Sequence, residues 1–364
     1  MWGGVIAVKP DGSLREVVPG NGMITPFGIA FSPCGDLASA NDDGGMMALT
    51  NQAGEVGWFI SYLSFIPPMP FIAFAPNGSL YASEGEPMPN MPKQVLGITP
   101  QGITSSFIKA EFPSGLAYSP DGMLYVSETT AGRIIRVSSE KETEIIAQGL
   151  KFPQGLALDD QKNLYAVTGP DGFSPNLGVS PAPINGDKIL RIDPKGEVST
   201  VLKIAGITDI AVSPQGELFA TTGGVHADGS PGRVIRINAD GSTTTIARGF
   251  EQPTGLAFDM AGYLYVADAA LNGVVRIAGF PQGMLSGQVL DGSGNPIEGA
   301  RLKVYSVDPI TVGQIVFSSA DGTFSLPAAP RNYTIQVTAE GFEPWLIEDV
   351  IVDPAEDTSI EIRF

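Results

Sequence analysis

The chain has few of the residues that build disulfides and histidine metal sites. Its 364 residues include one cysteine, Cys34, and one histidine, His226. A single cysteine excludes an intrachain disulfide, and a single histidine cannot form a zinc site that needs several. Cys34 lies in a Ser-Pro-Cys-Gly turn, where we expect an exposed residue. His226 lies in a Gly-rich stretch, where we expect an exposed loop residue.

Basic residues and long apolar runs are also scarce. The 21 Lys and Arg face 39 Asp and Glu, which gives a net charge of −18. Clustered basic residues are needed for phosphate binding, so a nucleic-acid partner is excluded. No run is long enough to span a membrane, and no leader precedes the first predicted strand. We expect an extracellular or cell-surface protein whose leader is absent from this chain, with a cytoplasmic location as the alternative.

What the chain does contain is a repeat. The stretch Pro253–Gly279 predicts three short strands, at Gly255–Phe258, Tyr263–Ala267 and Gly273–Ile277. Related copies start 40 to 54 residues apart, at Pro26, Met69, Pro113, Pro153, Ile207 and Pro253. A period of about 40–45 residues with four short strands is that of a β-propeller blade. Long helical periodicity is absent, so we predict an all-β fold with six blades.

The last copy lacks a clear fourth strand, and the N-terminus offers one. Gly4–Lys9, a Pro-Asp-Gly turn and Leu14–Val18 match the end of a blade. We therefore predict a propeller over residues 1–283 whose last blade is closed by the N-terminal strands. Closure of the ring removes an open sheet edge that would otherwise promote aggregation.

The repeat pattern P-x-G-[IL]-A-x-D-x-x-G-x-L-Y-V-A-D…R-I resembles NHL repeats and the gluconolactonase/senescence-marker propellers over about residues 4–280. The resemblance implies the fold, while function differs among such propellers. Residues 284–364 carry the motifs G-x-V-x-D-x-x-G-x-P-I-x-G-A and A-D-G-x-F-x-L. These closely resemble the carboxypeptidase regulatory-like domain. About seven strands separated by turn signals predict a small β-sandwich there. The resemblance implies a non-catalytic accessory module, and we expect this module to serve in partner contact or self-assembly.

Candidate binding residues cluster at one end of the blades, where inner strands start and second strands end. Long loops after the second strands predict a recognition face there. Those loops are Gly85–Lys93, Gly169–Asp187 and Gly223–Gly232. The second strands end in a polar ring of Asn41, Glu84, Glu128, Thr168, Thr222 and Asp268.

Asp209 adds a carboxylate at the third position of its copy, in the inner strand, where four other copies have glycine. Glu84, Glu128, Asp209 and Asp268 are weak candidates for a cation site, with Ca²⁺ the cofactor to consider. Their alternative role is to bind loop amides and strand ends. A calcium site at Asn41–Gly44 is a weaker alternative.

The gluconolactonase resemblance implies a divalent metal held partly by Asn or Asp at the second position of each copy. None of the six residues found there is a carboxylate: Phe27, Pro70, Ser114, Gln154, Thr208 and Thr254. We therefore assign no metal and no catalytic residue from the sequence. An apolar patch is a further candidate for partner contact. It comprises Phe65–Met69, Phe27, Phe71, Met46, Met47, Met88 and Met91.

These patterns predict a non-catalytic binding or assembly protein that recognises a protein or glycan through one propeller face. The alternative is a divergent metal-dependent lactonase-type hydrolase that uses the four carboxylates. The predicted binding residues are Asn41, Glu84, Glu128, Asp209, Asp268, Phe27, Phe71, Gln154 and His226.

Overall fold

The computed structural model describes fourteen segments of the chain. They are residues 3–8, 14–23, 26–41, 47–51, 56–60, 71–85, 93–169, 186–223, 232–259, 262–277, 283–305, 314–328, 332–352 and 358–364. These segments contain 31 strands and no helix, so the all-β prediction is confirmed. Among them there is no helix of the length and apolarity that crossing a membrane requires.

Twenty-four strands belong to the propeller. In chain order they are β1 (Gly3–Val8), β2 (Leu14–Met23), β3 (Pro26–Phe31), β4 (Leu37–Asn41), β5 (Met47–Thr50), β6 (Val56–Ile60), β7 (Ile72–Phe74), β8 (Leu80–Gly85), β9 (Lys93–Ile98), β10 (Thr104–Lys109), β11 (Pro113–Tyr118), β12 (Leu124–Glu128), β13 (Arg133–Val137), β14 (Thr143–Gln148), β15 (Leu156–Leu158), β16 (Leu164–Thr168), β17 (Gly186–Ile192), β18 (Val198–Val212), β19 (Leu218–Thr222), β20 (Gly232–Ile237), β21 (Thr243–Phe250), β22 (Pro253–Phe258), β23 (Leu264–Asp268) and β24 (Gly273–Ile277).

The blades follow the repeats. Strands β3 to β6, β7 to β10 and β11 to β14 form blades 1, 2 and 3. Blades 4 and 5 share one seven-stranded sheet, because the long strand β18 is the outer strand of blade 4 and then the inner strand of blade 5. The inner strands β3, β7, β11, β15, β18 and β22 contact one another in that order, and β22 returns to β3. The ring of six blades is therefore closed.

Blade 6 differs from the simple completion that the sequence predicts. It has five strands in the order β22, β23, β24, β1, β2. Strand β1 runs parallel to β24, with Val5 opposite Val274, and β2 then pairs antiparallel with β1. The N-terminal strands thus add two outer strands, and the first of them breaks the antiparallel pattern of the other blades.

Each blade begins with a tight hairpin whose turn chemistry is visible in the sequence. In blade 3 the Gly122 N–H donates to the Ser119 carbonyl at 3.0 Å, and Gly122 has a φ of 87°. A positive φ favours glycine at this position. The apolar cores lie between neighbouring blades. One such core joins Val167 and Ile189 of blade 4 to Ile210 and Ile235 of blade 5.

The last seven strands form two stacked sheets. They are β25 (Gly283–Leu290), β26 (Arg301–Tyr305), β27 (Gln314–Phe317), β28 (Thr323–Ala328), β29 (Asn332–Thr338), β30 (Trp345–Ile351) and β31 (Thr358–Arg363). One sheet has the order β28, β25, β31 and the other β27, β26, β29, β30. Leu285, Leu302, Phe324 and Ile335 lie in the core between them, because inward and outward residues alternate along each strand.

Candidate functional site

We call the end of the blades where inner strands start and second strands end the top face. At this face, strand pairing brings the first residues of the inner strands next to the last residues of the second strands. The pairs that meet at this end are Pro26 with Asn41, Pro113 with Glu128, Ile207 with Thr222, and Pro253 with Asp268. The same pairs are followed by a register shift in blades 1, 3, 5 and 6. Such a β-bulge re-aims side chains at a strand end.

Asp268 ends the second strand of blade 6 and is fully buried. Its carboxylate accepts hydrogen bonds from the backbone N–H groups of Glu251 at 2.8 Å and Gln252 at 3.0 Å, which precede the inner strand. It also accepts from Ala270 at 3.1 Å and Leu271 at 3.2 Å, which follow the second strand. One side chain therefore binds two connecting segments together.

Glu128 and Glu84 occupy the equivalent positions of blades 3 and 2 and are also buried. Glu128 accepts from the Glu111 N–H at 2.6 Å and forms an ion pair with Arg133. This hydrogen bond raises the pKa of the Arg133 guanidinium. Glu84 accepts from the Gln94 side chain at 2.6 Å. The acidic members of the ring thus bind strand ends and loop amides, which is the alternative role that the sequence leaves open.

Asp209 lies between three inner strands. Its carboxylate accepts from the Leu256 N–H of blade 6 at 3.0 Å. On the other side, a Cβ placed on Gly155 of blade 4 would lie 2.7 Å from Asp209 Oδ1, so glycine makes room for the acid. Burial raises the pKa of Asp209 to about 7, although N–H groups of Ile210 and Leu256 act in the opposite direction. Asp209 therefore joins blades 5 and 6 while resisting ionisation.

Two predicted amides at the top face behave differently. Asn41 is 3% exposed and Gln154 is 5% exposed. Within the described segments, Asn41 Nδ2, Asn41 Oδ1 and Gln154 Nε2 are buried without a hydrogen-bond partner. They belong to blades 1 and 4, which lie on opposite sides of the ring of inner strands. Because buried polar groups are nearly always paired in proteins, these amides are unsatisfied groups of the face, and Asp187 Oδ1 at the start of the third strand of blade 4 is another.

The apolar candidates are placed less favourably. Phe27 is buried, and Phe71 packs against the core between blades 2 and 3. Met47 is fully buried in the core between blades 1 and 2, so the apolar surface patch is wrong for this residue. Cys34 is exposed as expected. Some predicted features lie outside the described residues: Asp42–Gly44, Met46, Phe65–Met69, Met88, Met91, His226 and most of the three long loops.

The four carboxylates do not fit one shared cation. Within the described part of the chain, no three His, Cys, Asp or Glu side chains come together as metal ligands would. Glu84, Glu128 and Asp268 each bind groups of their own blade or its connections. Hard-cation sites need several oxygen ligands that converge at about 2.3–2.6 Å from the ion, and this arrangement does not supply them.

Sequence reasoning missed the partners of the ring. Arg133 begins the third strand of blade 3 and faces Glu128, and Arg233 of blade 5 donates to Thr222 at 3.3 Å in the same way. The signal was present, because both third strands read G-R-[IV]-I-R. An Arg at the start of the third strand, directly across the hairpin from the last residue of the second strand, is thus a sequence marker for a ring residue that has a partner within the protein.

Comparisons with known proteins agree with both halves of the fold. Residues 284–364 match the carboxypeptidase regulatory-like domain family. No curated protein sequence matches the chain. A gluconolactonase structure from Xanthomonas campestris is similar, with 14% identity, a TM-score of 0.53, and coverage of 67% of this chain and 83% of that one.

Two further structures are similar. Regucalcin from Agrobacterium tumefaciens, named as a calcium-binding protein, has 15% identity and a TM-score of 0.50, covering 72% of this chain and 86% of its own. An auxiliary nutrient binding protein from Bacteroides thetaiotaomicron has 14% identity and a TM-score of 0.52, covering 69% and 67%. The resemblance to gluconolactonase-like propellers followed by a carboxypeptidase regulatory-like domain is confirmed. At these identities the likeness shows the fold alone.

Proposed function

We propose that the chain is a non-catalytic binding protein that recognises a protein or glycan partner through the top face of the propeller. The observation that carries this proposal is the contrast between acids and amides at that face. Glu84, Glu128 and Asp268 already have protein partners, whereas polar atoms of Asn41 and Gln154 are buried without any in the described segments. The amides are thus the groups that a ligand would satisfy.

The energetics favour this use of the amides. A buried donor or acceptor without a partner costs about 1–3 kcal/mol. A ligand that penetrates the top face far enough to reach these buried atoms, and offers them hydrogen-bond acceptors and donors, removes that cost when it binds. Amides carry no net charge, so they suit the hydroxyl and amide groups of a glycan or a peptide backbone.

The lactonase-type alternative has weaker support. It requires Glu84, Glu128, Asp209 and Asp268 to share a metal, and these four side chains are engaged separately. A calcium dependence would restore this alternative, because a ligand that binds only the folded state raises its stability. Thermal unfolding with and without Ca²⁺ measures it, and a rise in Tm that Asp209→Ala abolishes would favour the hydrolase.

An extracellular or cell-surface location belongs to the same proposal. The auxiliary nutrient binding protein from Bacteroides thetaiotaomicron supplies a precedent for a similar fold in a binding role. The two sheets of the seven-stranded sandwich end in strands β28 and β31 and in β27 and β30. Edge strands can pair with a strand of another chain, so this domain is our candidate for assembly, including self-assembly.

Binding of defined glycan and peptide arrays by the full chain tests the proposal. We expect Asn41→Leu and Gln154→Met to weaken the array signals about tenfold or more, since each removes hydrogen bonds to the partner. Asn77→Ala is the matched control, because Asn77 is exposed in the hairpin turn at the opposite end of blade 2. An array signal that both amide variants retain in full would overturn the top-face assignment.

A further inference from the structure

The sandwich carries an open groove that lies outside the propeller face. It has a volume of about 840 Å³ and is lined by residues of β25, β27, β28 and β31. Its floor is the outward face of the sheet β28, β25, β31, because the buried residues of these strands, such as Leu285, Leu326 and Ile362, point the other way. The groove is therefore a surface feature built on regular strands.

The floor is a grid of short polar side chains. Strand register places Ser325, Ser286 and Ser359 side by side in one row. The next row holds Thr323, Gln288 and Glu361. Neighbouring strands are roughly 4.8 Å apart and successive outward residues roughly 6.8 Å apart. The grid thus presents hydroxyl, amide and carboxyl groups at regular spacing.

Several groups of this grid remain available to a ligand. Ser325 and Ser359 are exposed, and in the part of the chain that the structure describes their hydroxyls have no hydrogen-bond partner. Gln288 uses its Nε2 on the Asp321 carbonyl at 2.8 Å, which leaves its Oε1 as an acceptor. Hydroxyls both donate and accept, so this floor suits a ligand that is itself rich in hydroxyls.

An aromatic ring stands beside the grid. Phe317 of β27 lines the groove and is 59% exposed, although a phenylalanine usually buries most of its surface. An aromatic face packs well against an apolar ligand surface and gives binding energy at little cost in conformational entropy. A sugar ring offers both an apolar face of C–H groups and an edge of hydroxyls.

Charge decides among the classes of occupant. The chain has a net charge of −18, and Glu361 in the groove is paired with Arg363 at 2.6 Å. The groove residues include no Lys or Arg that could bind an anionic polymer. Their one carboxylate, Glu361, is already paired and so offers little to a cationic peptide. We infer that the groove formed by Phe317 and the polar face of strands β25, β28 and β31 binds a neutral carbohydrate chain.

Affinity electrophoresis of the full chain tests this inference. The probes are a soluble β-glucan, an α-glucan, a xylan and a mannan, with alginate and chitosan as anionic and cationic polymers. We expect at least one neutral polysaccharide to retard the protein. We expect Phe317→Ala, and separately the pair Ser325→Val with Ser359→Val, to raise the Kd about tenfold.

Ile351→Ala is the matched control. Ile351 is an apolar side chain, 63% exposed, on an edge strand of the other sheet, so its removal leaves carbohydrate binding unchanged. Asn77→Ala, in the exposed hairpin turn of blade 2, is a second control and also leaves this binding unchanged. The inference is overturned if no neutral polysaccharide binds, if alginate or chitosan binds in preference, or if the groove variants bind like the parent protein while keeping its Tm.

Discussion

Blades 6 and 1 are neighbours in the ring, and their second strands end in side chains that behave in opposite ways. Asp268 of blade 6 accepts four backbone N–H groups. Asn41 of blade 1 has the same place in its blade, and both its polar atoms lack a partner in the described segments. The difference teaches that one ring position can be satisfied or left unsatisfied by the fold. An acid there holds the connections together, whereas the amide there has no hydrogen-bond partner in the described segments.

Replacement of Asp268 should change the stability of the protein more than any other substitution predicted here. We expect Asp268→Ala to lower the free energy of unfolding by about 4 kcal/mol, because four part-buried N–H groups lose their acceptor at about 1 kcal/mol each. Chemical unfolding monitored by circular dichroism measures the change. Asn41→Ala is the matched variant, with an expected loss below about 1 kcal/mol. Equal losses in the two variants would remove the distinction between the positions.

The pH dependence of Asp209 sharpens the same contrast, because this acid also accepts an N–H from the inner strand of blade 6. Burial raises its pKa to about 7, against about 3.9 in an unfolded chain. Below about pH 4 both states hold the proton and the stabilising effect is complete. As the pH rises from about 4 to 7, the unfolded state loses its proton first, so stability falls.

We therefore expect the parent protein to lose about 3–4 kcal/mol of stability relative to Asp209→Asn between pH 4 and pH 8. Paired unfolding curves of the two proteins across this range give the difference. A difference that stays constant with pH would show that Asp209 ionises normally in the fold.

A substitution at the contact between blades 6 and 1 should change stability by a smaller amount. A Cβ on Gly255 would lie 2.1 Å from the Phe27 carbonyl oxygen, which is backbone and has little room to move. We expect Gly255→Ala to destabilise the protein by about 2 kcal/mol through overpacking, measured as a lower Tm. Gly97→Ala serves as control, since the nearest atom to its Cβ is 3.6 Å away. Similar Tm values for the two variants would mean that the blades separate easily.

Much of the fold was predictable because the repeats impose it. Apolar positions recur at fixed offsets in every copy, so the inner and second strands were located to within about two residues, as Pro253–Phe258 and Leu264–Asp268 show. The ring at the strand ends was predictable for the same reason. The seven sandwich strands followed from motifs specific to one family.

The partners of the ring residues were harder to predict. Whether Asp268 meets amides or a cation depends on connections that vary between copies and on bulges that re-aim the strand start. The burial of Met47 also depends on the neighbouring blade, because Ala38 of blade 1 stands where other copies have Tyr125 or Phe219 and leaves space in that core. Such choices are made by packing between blades, which a single sequence does not display.

The most direct test of the central claim is the Tm of the double variant Asn41→Leu with Gln154→Met, measured by calorimetry on the full chain without ligand. Buried amides without hydrogen-bond partners destabilise the free protein. Apolar residues of similar shape remove the free-energy cost of burying those unpaired polar atoms. The account predicts a Tm about 2–4 °C above that of the parent protein. A Tm several degrees lower would contradict it, because it would show that both amides already hold the fold together.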